Sequence, residues 1–74
     1  MSIIEDGELK GAFKGFRNRD TTFEFRGGGI WQQAEYKYAY QYAYMPSAKV
    51  VAEGGRCVLY VDGMSEGVEV RRIR

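Results

Sequence analysis

Ile30-Trp31-Gln32-Gln33-Ala34-Glu35-Tyr36-Lys37-Tyr38-Ala39-Tyr40-Gln41-Tyr42-Ala43-Tyr44-Met45 carries a tyrosine at every second position from Tyr36 to Tyr44. A period of two lays all five rings on one face of a β-strand. Ala, Gln, Glu, Lys and Met favour a helix, and Tyr36, Tyr40 and Tyr44 are also spaced by four. A helix would turn Tyr38 and Tyr42 away from that row, so the alternation predicts a strand. Each ring buries roughly 150–250 Å², which makes the row on the order of 1,000 Å² of aromatic surface. That is a large share of a small core, and also the size of an interface. The opposite face holds Trp31, Gln33, Glu35, Lys37, Ala39, Gln41, Ala43 and Met45, polar in its middle and expected to meet solvent there.

At about 3.3 Å per residue, this stretch would run some 50 Å if straight. A compact chain of 74 residues has a diameter of roughly 30 Å. The segment must therefore bend and serve two sheets, or project to pair with another chain.

The flanking sequence is β throughout. Gly7 to Phe16 reads as a first strand, with Leu9 and Phe13 on one face, Lys10 and Lys14 on the other, and Gly11 and Gly15 marking curvature. Arg17-Asn18-Arg19-Asp20 is a polar turn. Thr21 to Phe25 is a second strand with Phe23 and Phe25 inward, and Arg26-Gly27-Gly28-Gly29 turns it into the tyrosine segment. After Pro46, Ala48–Glu53 and Arg56–Val61 form a hairpin across Gly54-Gly55, a pair suited to a type I′ or II′ turn. That register opposes Glu53 to Arg56, Ala52 to Cys57, Val51 to Val58 and Val50 to Leu59. Both faces are apolar near its middle, so one meets the core and the other a further covering group. Asp62 to Gly67 is a turn, and Val68 to Ile73 a last strand. The expected fold is one all-β domain over residues 1–74: a small, strongly bent, five-stranded antiparallel barrel or sandwich of SH3-like size, with one long tyrosine-rich strand.

A chain this short buries only about 60% of its unfolded surface. One cysteine, Cys57, and no histidine exclude an internal disulfide and a histidine-ligated zinc site. Partnership is the expected source of further stability. Eleven Lys/Arg against ten Asp/Glu give a net charge of +1, whereas a non-specific nucleic-acid binder shows a basic excess or a concentrated basic face. The acidic start, Ile3-Ile4-Glu5-Asp6, is unlike a signal peptide, and no apolar run reaches the roughly 20 residues of a membrane span. The lone thiol suits a reducing compartment, and a cytoplasmic location is expected.

Thr22-Phe23-Glu24-Phe25, then Gly29-Ile30-Trp31-Gln32-Gln33, the alternating tyrosines ending at Pro46, and Val68-Glu69-Val70-Arg71-Arg72-Ile73 together resemble a small, uncharacterised bacterial β domain found on mobile gene cassettes of integrons. The resemblance covers about two thirds of the chain and implies an unassigned role without catalytic residues. Another cassette-borne protein, the trimethoprim-insensitive dihydrofolate reductase, is a similarly short barrel assembled from four chains. Its Val-Gln-Ile-Tyr pore motif is missing from this sequence, so that activity does not carry over.

The candidate interface or ligand-binding residues are Trp31, Gln33, Tyr36, Tyr38, Tyr40, Tyr42 and Tyr44. Rings on alternate residues suit a self-interface, or stacking on bases or sugars. Trp31 and Gln33 share a face and form either a small pocket or a barrel end. Arg26-Gly27-Gly28-Gly29 lacks the spacing and following helix of a phosphate loop. Arg71, Arg72 and Arg74 read as a solvated end, Cys57 as a buried thiol, and Glu5, Asp6, Glu66 and Glu69 as surface charge in tails or exposed strands. No catalytic, cofactor or metal residue is assigned. The expected role is a non-catalytic interaction module that forms a homo-oligomer through its tyrosine strand, half core and half subunit contact. The alternative is a module whose exposed tyrosines stack on single-stranded nucleic acid or carbohydrate. An enzyme with a site shared between subunits ranks third.

Overall fold

The computed structural model describes residues 2–74. In chain order the strands are β1 (Ser2–Glu8), β2 (Ala12–Phe13), β3 (Thr22–Glu24), β4 (Ile30–Gln33), β5 (Ala43–Tyr44), β6 (Ser47–Glu53), β7 (Arg56–Val61) and β8 (Val68–Arg72). Six of them make one antiparallel sheet in the order β1-β6-β7-β8-β4-β3, and β2 and β5 make a second, two-stranded sheet. The fold is all-β, and no helix occurs among the described residues.

Eight strands are found where five were expected, in part because both long expected strands break. The stretch from Gly7 to Phe16 divides at Gly11, whose φ of +74° is a left-handed conformation that glycine adopts freely. The tyrosine stretch is not one long strand either. Its start is β4 in the large sheet, its end is β5 in the small one, and 34–42 bends at Glu35 and has no regular pairing except at an isolated Phe16–Ala39 bridge. Of the two ways to fit the segment into the globule, bending to serve both sheets is the one observed, within a molecule of 29 × 25 × 22 Å.

The large sheet is not closed into a barrel. Its edge strands β1 and β3 approach at one end, through the Leu9–Phe25 bridge. There the Lys10 N–H donates to the Glu24 carbonyl (2.8 Å) and the Arg26 N–H to that of Glu8 (2.9 Å).

The β6–β7 hairpin has the expected register, from Glu53–Arg56 through Val50–Leu59. Gly54 and Gly55 both have positive φ, 56° and 83°, as a type I′ turn requires. Ala48, Val50, Leu59 and Val61 enter the main core. Val51 and Val58 point the other way yet are buried as well. Ile3 is paired with Val51 in β1, and Gly67 comes so close to the Val58 side chain that a Cβ would sit 2.7 Å from it.

The core holds Leu9, Phe13, Phe16, Phe23, Phe25 and Trp31 with the valines of β6 to β8. Phe13, Phe16 and Phe23 pack with centroids 6.0–6.3 Å apart, two of the three pairs edge to face, an arrangement that adds to simple burial. No tyrosine of the row takes part.

Candidate functional site: the outward tyrosine row

The face assignment of the tyrosine segment is inverted relative to the sequence expectation. Tyr36, Tyr38, Tyr40, Tyr42 and Tyr44 are 77%, 63%, 66%, 56% and 70% exposed. They supply neither half of the core. On the opposite face Trp31 and Gln33 are fully buried and Ala39 and Ala43 pack on the core, while in the middle, expected to meet solvent, Glu35 and Lys37 are half-buried and Gln41 is exposed. The reason is steric. Small Ala39 and Ala43 fit over Phe13 and Phe16, to which they are joined in register, whereas tyrosines there would need space the phenylalanines fill.

Three polar side chains of the segment, Gln33, Glu35 and Lys37, also act as tethers. The Gln33 side chain accepts from the Arg17 N–H (3.1 Å) and donates to the Glu35 and Lys37 carbonyls (2.9 and 3.0 Å). A buried amide thus closes the bend in place of strand pairing, and its satisfied bonds explain why so polar a group lies in the interior. The Glu35 carboxylate accepts from the Glu69 N–H (2.7 Å), and Lys37 Nζ donates to the Gly67 carbonyl (2.7 Å) and pairs with Glu66 (3.1 Å). Phe16 and Ala39 exchange backbone bonds of 2.8 and 2.9 Å. Gly15, at φ +93°, lies so close to the segment that a Cβ would overlap the Ala39 carbonyl oxygen. Among the described residues, none of the five row hydroxyls has a hydrogen-bond partner, unlike Tyr60, which donates to Glu53 at 2.6 Å. That bond to a carboxylate holds the Tyr60 pKa above its ordinary value of 10.0.

Trp31 and Gln33 do not share a pocket: Gln33 borders a hollow of about 240 Å³ beside Gln32 and Arg71, which Trp31 does not reach. Trp31 Nε1 donates to Glu5 (2.7 Å) and the Arg72 guanidinium lies 5.4 Å from its ring centroid. Glu5 therefore belongs to β1 and the Trp31 contact rather than to a charged tail. Cys57 is half-buried against the core.

Beside the row, the chain from Leu9 to Arg19 contains Lys10, Lys14, Arg17 and Arg19 and no carboxylate. Its pairing places it directly against residues 39–44. On its far side it borders a groove of about 280 Å³ lined by Lys14 and Arg17 together with Phe13, Thr21, Phe23 and Glu24. Lys10 is paired with Glu24 (3.4 Å), but among the described residues neither Lys14 nor Arg17 has a carboxylate partner. The sequence reading passed over this pair, treating Arg17 as part of a turn. The signal available was the run of four cations without an acid.

Comparison with family models, with curated proteins and with solved structures finds no match for this chain. The likeness to cassette-borne bacterial proteins rests on the sequence motifs alone.

Proposed function

We propose that this protein is a non-catalytic binding module whose working surface is the outward tyrosine row. One observation carries the reading: a complete core forms without the five tyrosines, while every one of them is more than half exposed on a segment tethered from its other side. Their exposure amounts to about three full side chains, on the order of 500–800 Å². Monomeric surfaces seldom carry contiguous apolar patches beyond about 600 Å² unless they are used. Tyrosine also suits such a surface, with a large ring, two rotors and a polar tip.

A stacking ligand is the occupant the geometry favours. In a twofold interface the same patch faces itself, and this patch would bring Lys14 and Arg17 towards their own copies without a compensating carboxylate. Assembly into a homo-oligomer through the row is the second reading. It is favoured by area, since one side of a standard interface covers about 800 Å². A cytoplasmic, cassette-borne bacterial setting is consistent with either.

The test is a triple variant, Tyr38→Ser with Tyr40→Ser and Tyr42→Ser, compared with the parent by light scattering across concentration and by binding to oligonucleotides and neutral oligosaccharides. The variant is expected to melt with the parent and to lose whichever association the parent shows. A variant that keeps every association of the parent removes the row as the working surface.

A further inference from the structure

We infer that the ligand of the tyrosine row is a single-stranded nucleic acid, with bases on the rings and phosphates along Lys14 and Arg17. This rests on the binding-module reading above and adds the ligand class. Near-neutral net charge spoke against nucleic acid in the sequence, but that objection concerns the average. Proteins that hold single strands combine a cationic track with aromatic platforms, and the Phe13–Ala43 and Phe16–Ala39 pairings run the cationic stretch alongside the row, with Lys14 and Arg17 both exposed. The track is the stretch from β2 to Arg17, set between the row on one side and the groove on the other. Within residues 36–44 the single charged side chain is Lys37, and it is turned inward to Glu66 and Gly67. Carboxylates close to the track are Glu24, engaged by Lys10, and Asp20, in the turn beyond Arg19.

Spacing selects single strands over duplex. Rings on alternate residues of an extended segment recur every ~6.7 Å, about twice the ~3.4 Å step of a stacked strand in duplex. Bases can meet successive rings only when they are pulled apart from one another, which a single strand permits and a duplex resists. Five rings accommodate on the order of five nucleotides, within the range of small single-strand modules. A row of tyrosines offers faces rather than a donor and acceptor pattern, so the inferred binding is tolerant of sequence.

The experiment is fluorescence anisotropy of labelled oligo(dT) of 15 nucleotides, with the matched duplex and a neutral oligosaccharide as parallel ligands and light scattering on the same samples. The single strand is expected to bind at least about tenfold more tightly than the duplex. Its log K should fall with log salt by about 0.7 per phosphate neutralised. Lys14→Ala with Arg17→Ala should flatten that slope by about 1.4, whereas Tyr40→Ala should weaken binding about fivefold or more at every salt concentration and leave the slope unchanged. Absence of oligo(dT) binding by folded parent at about 50 mM salt overturns the inference, as does binding that neither variant alters. If oligo(dT) fails while the oligosaccharide binds, or the chain self-associates, in a tyrosine-dependent way, the nucleic-acid assignment falls and the row stands as the working surface. If no association depends on the tyrosines, both fall.

Discussion

The β6–β7 hairpin and the tyrosine segment both alternate with a period of two, yet only in the hairpin does the alternation translate directly into structure. Near the middle of the hairpin both faces are apolar and both are buried, Val50 and Leu59 in the main core and Val51 and Val58 on the other side, next to Ile3 and Gly67. No decision about sides was needed. In the tyrosine segment the two faces differ, and hydrophobic size alone favours burying the rings. The fold does the opposite, because its interior is already filled by Trp31 and four phenylalanines. Alternation states which residues travel together. Which set goes inside is decided by the volume that remains.

The sharpest way to break this comparison is to truncate one aromatic from each face of the same segment. Trp31→Ala should remove about 3–5 kcal/mol, enough to unfold much of so small a domain, while Tyr40→Ala should lie within about 0.5 kcal/mol of the parent. Urea melts followed by far-UV circular dichroism measure both. A Tyr40→Ala loss comparable with that of Trp31→Ala would mean that the rings are part of the core after all.

A second comparison uses glycines of similar φ in the two regions. Gly15→Ala combines left-handed strain of about 1–2 kcal/mol with overlap on the Ala39 carbonyl oxygen, for a total of at least about 3 kcal/mol. Gly55→Ala carries the strain alone, since no atom lies within 4 Å of the added Cβ, and should lose about 1–2 kcal/mol. Equal losses at the two sites would show that the row does not rest on Gly15.

Gln33→Leu sharpens the account of the bend. It leaves the Arg17 N–H and two segment carbonyls without their partner, at about 2 kcal/mol, and the segment should loosen before the sheet does. Tryptic cleavage at Lys37 is then expected to accelerate while hairpin amides stay protected. Uniform loss of protection would place the amide's role in the whole fold instead.

The smallest effect concerns Tyr60. Its folded pKa is raised by the bond to Glu53, so that contribution is present at neutral pH and is lost as pH rises through the raised value. Tyr60→Phe should lower stability slightly at pH 7 and flatten its decline under alkaline conditions, as read from thermal melts between pH 8 and pH 11. An unchanged alkaline slope would remove the bond from the account.

Much of this was legible in the chain. Gly54-Gly55 set the hairpin register, because two adjacent glycines supply the turn's positive φ. The excess length of the tyrosine stretch left two outcomes, a bend into two sheets or projection towards another chain, and the bend is found. Phe23 and Phe25 were recognisable as inward. The inverted face also left a trace: Trp31, the largest apolar side chain, stands on odd parity, opposite all five tyrosines. Extending its inward position along the segment would have turned the rings out. Two features left no local trace. The division of the tyrosine stretch depends on how the two sheets pack, and the tethering of its bend by Gln33 joins backbone groups of Arg17, Glu35 and Lys37 that periodicity cannot bring together.

The single tryptophan lies sealed inside and the five row tyrosines stand outside. The protein therefore carries two separate chromophores for two separate events. Emission from Trp31 follows the integrity of the interior, while ultraviolet absorbance and quenching of the row respond to whatever settles on the surface. Titration with a ligand should perturb the second signal and leave the first in place, and heating should move the first abruptly. With excitation at the red edge of the absorption, where tyrosine does not contribute, Trp31 reports folding in the same unlabelled sample whose tyrosines report occupancy.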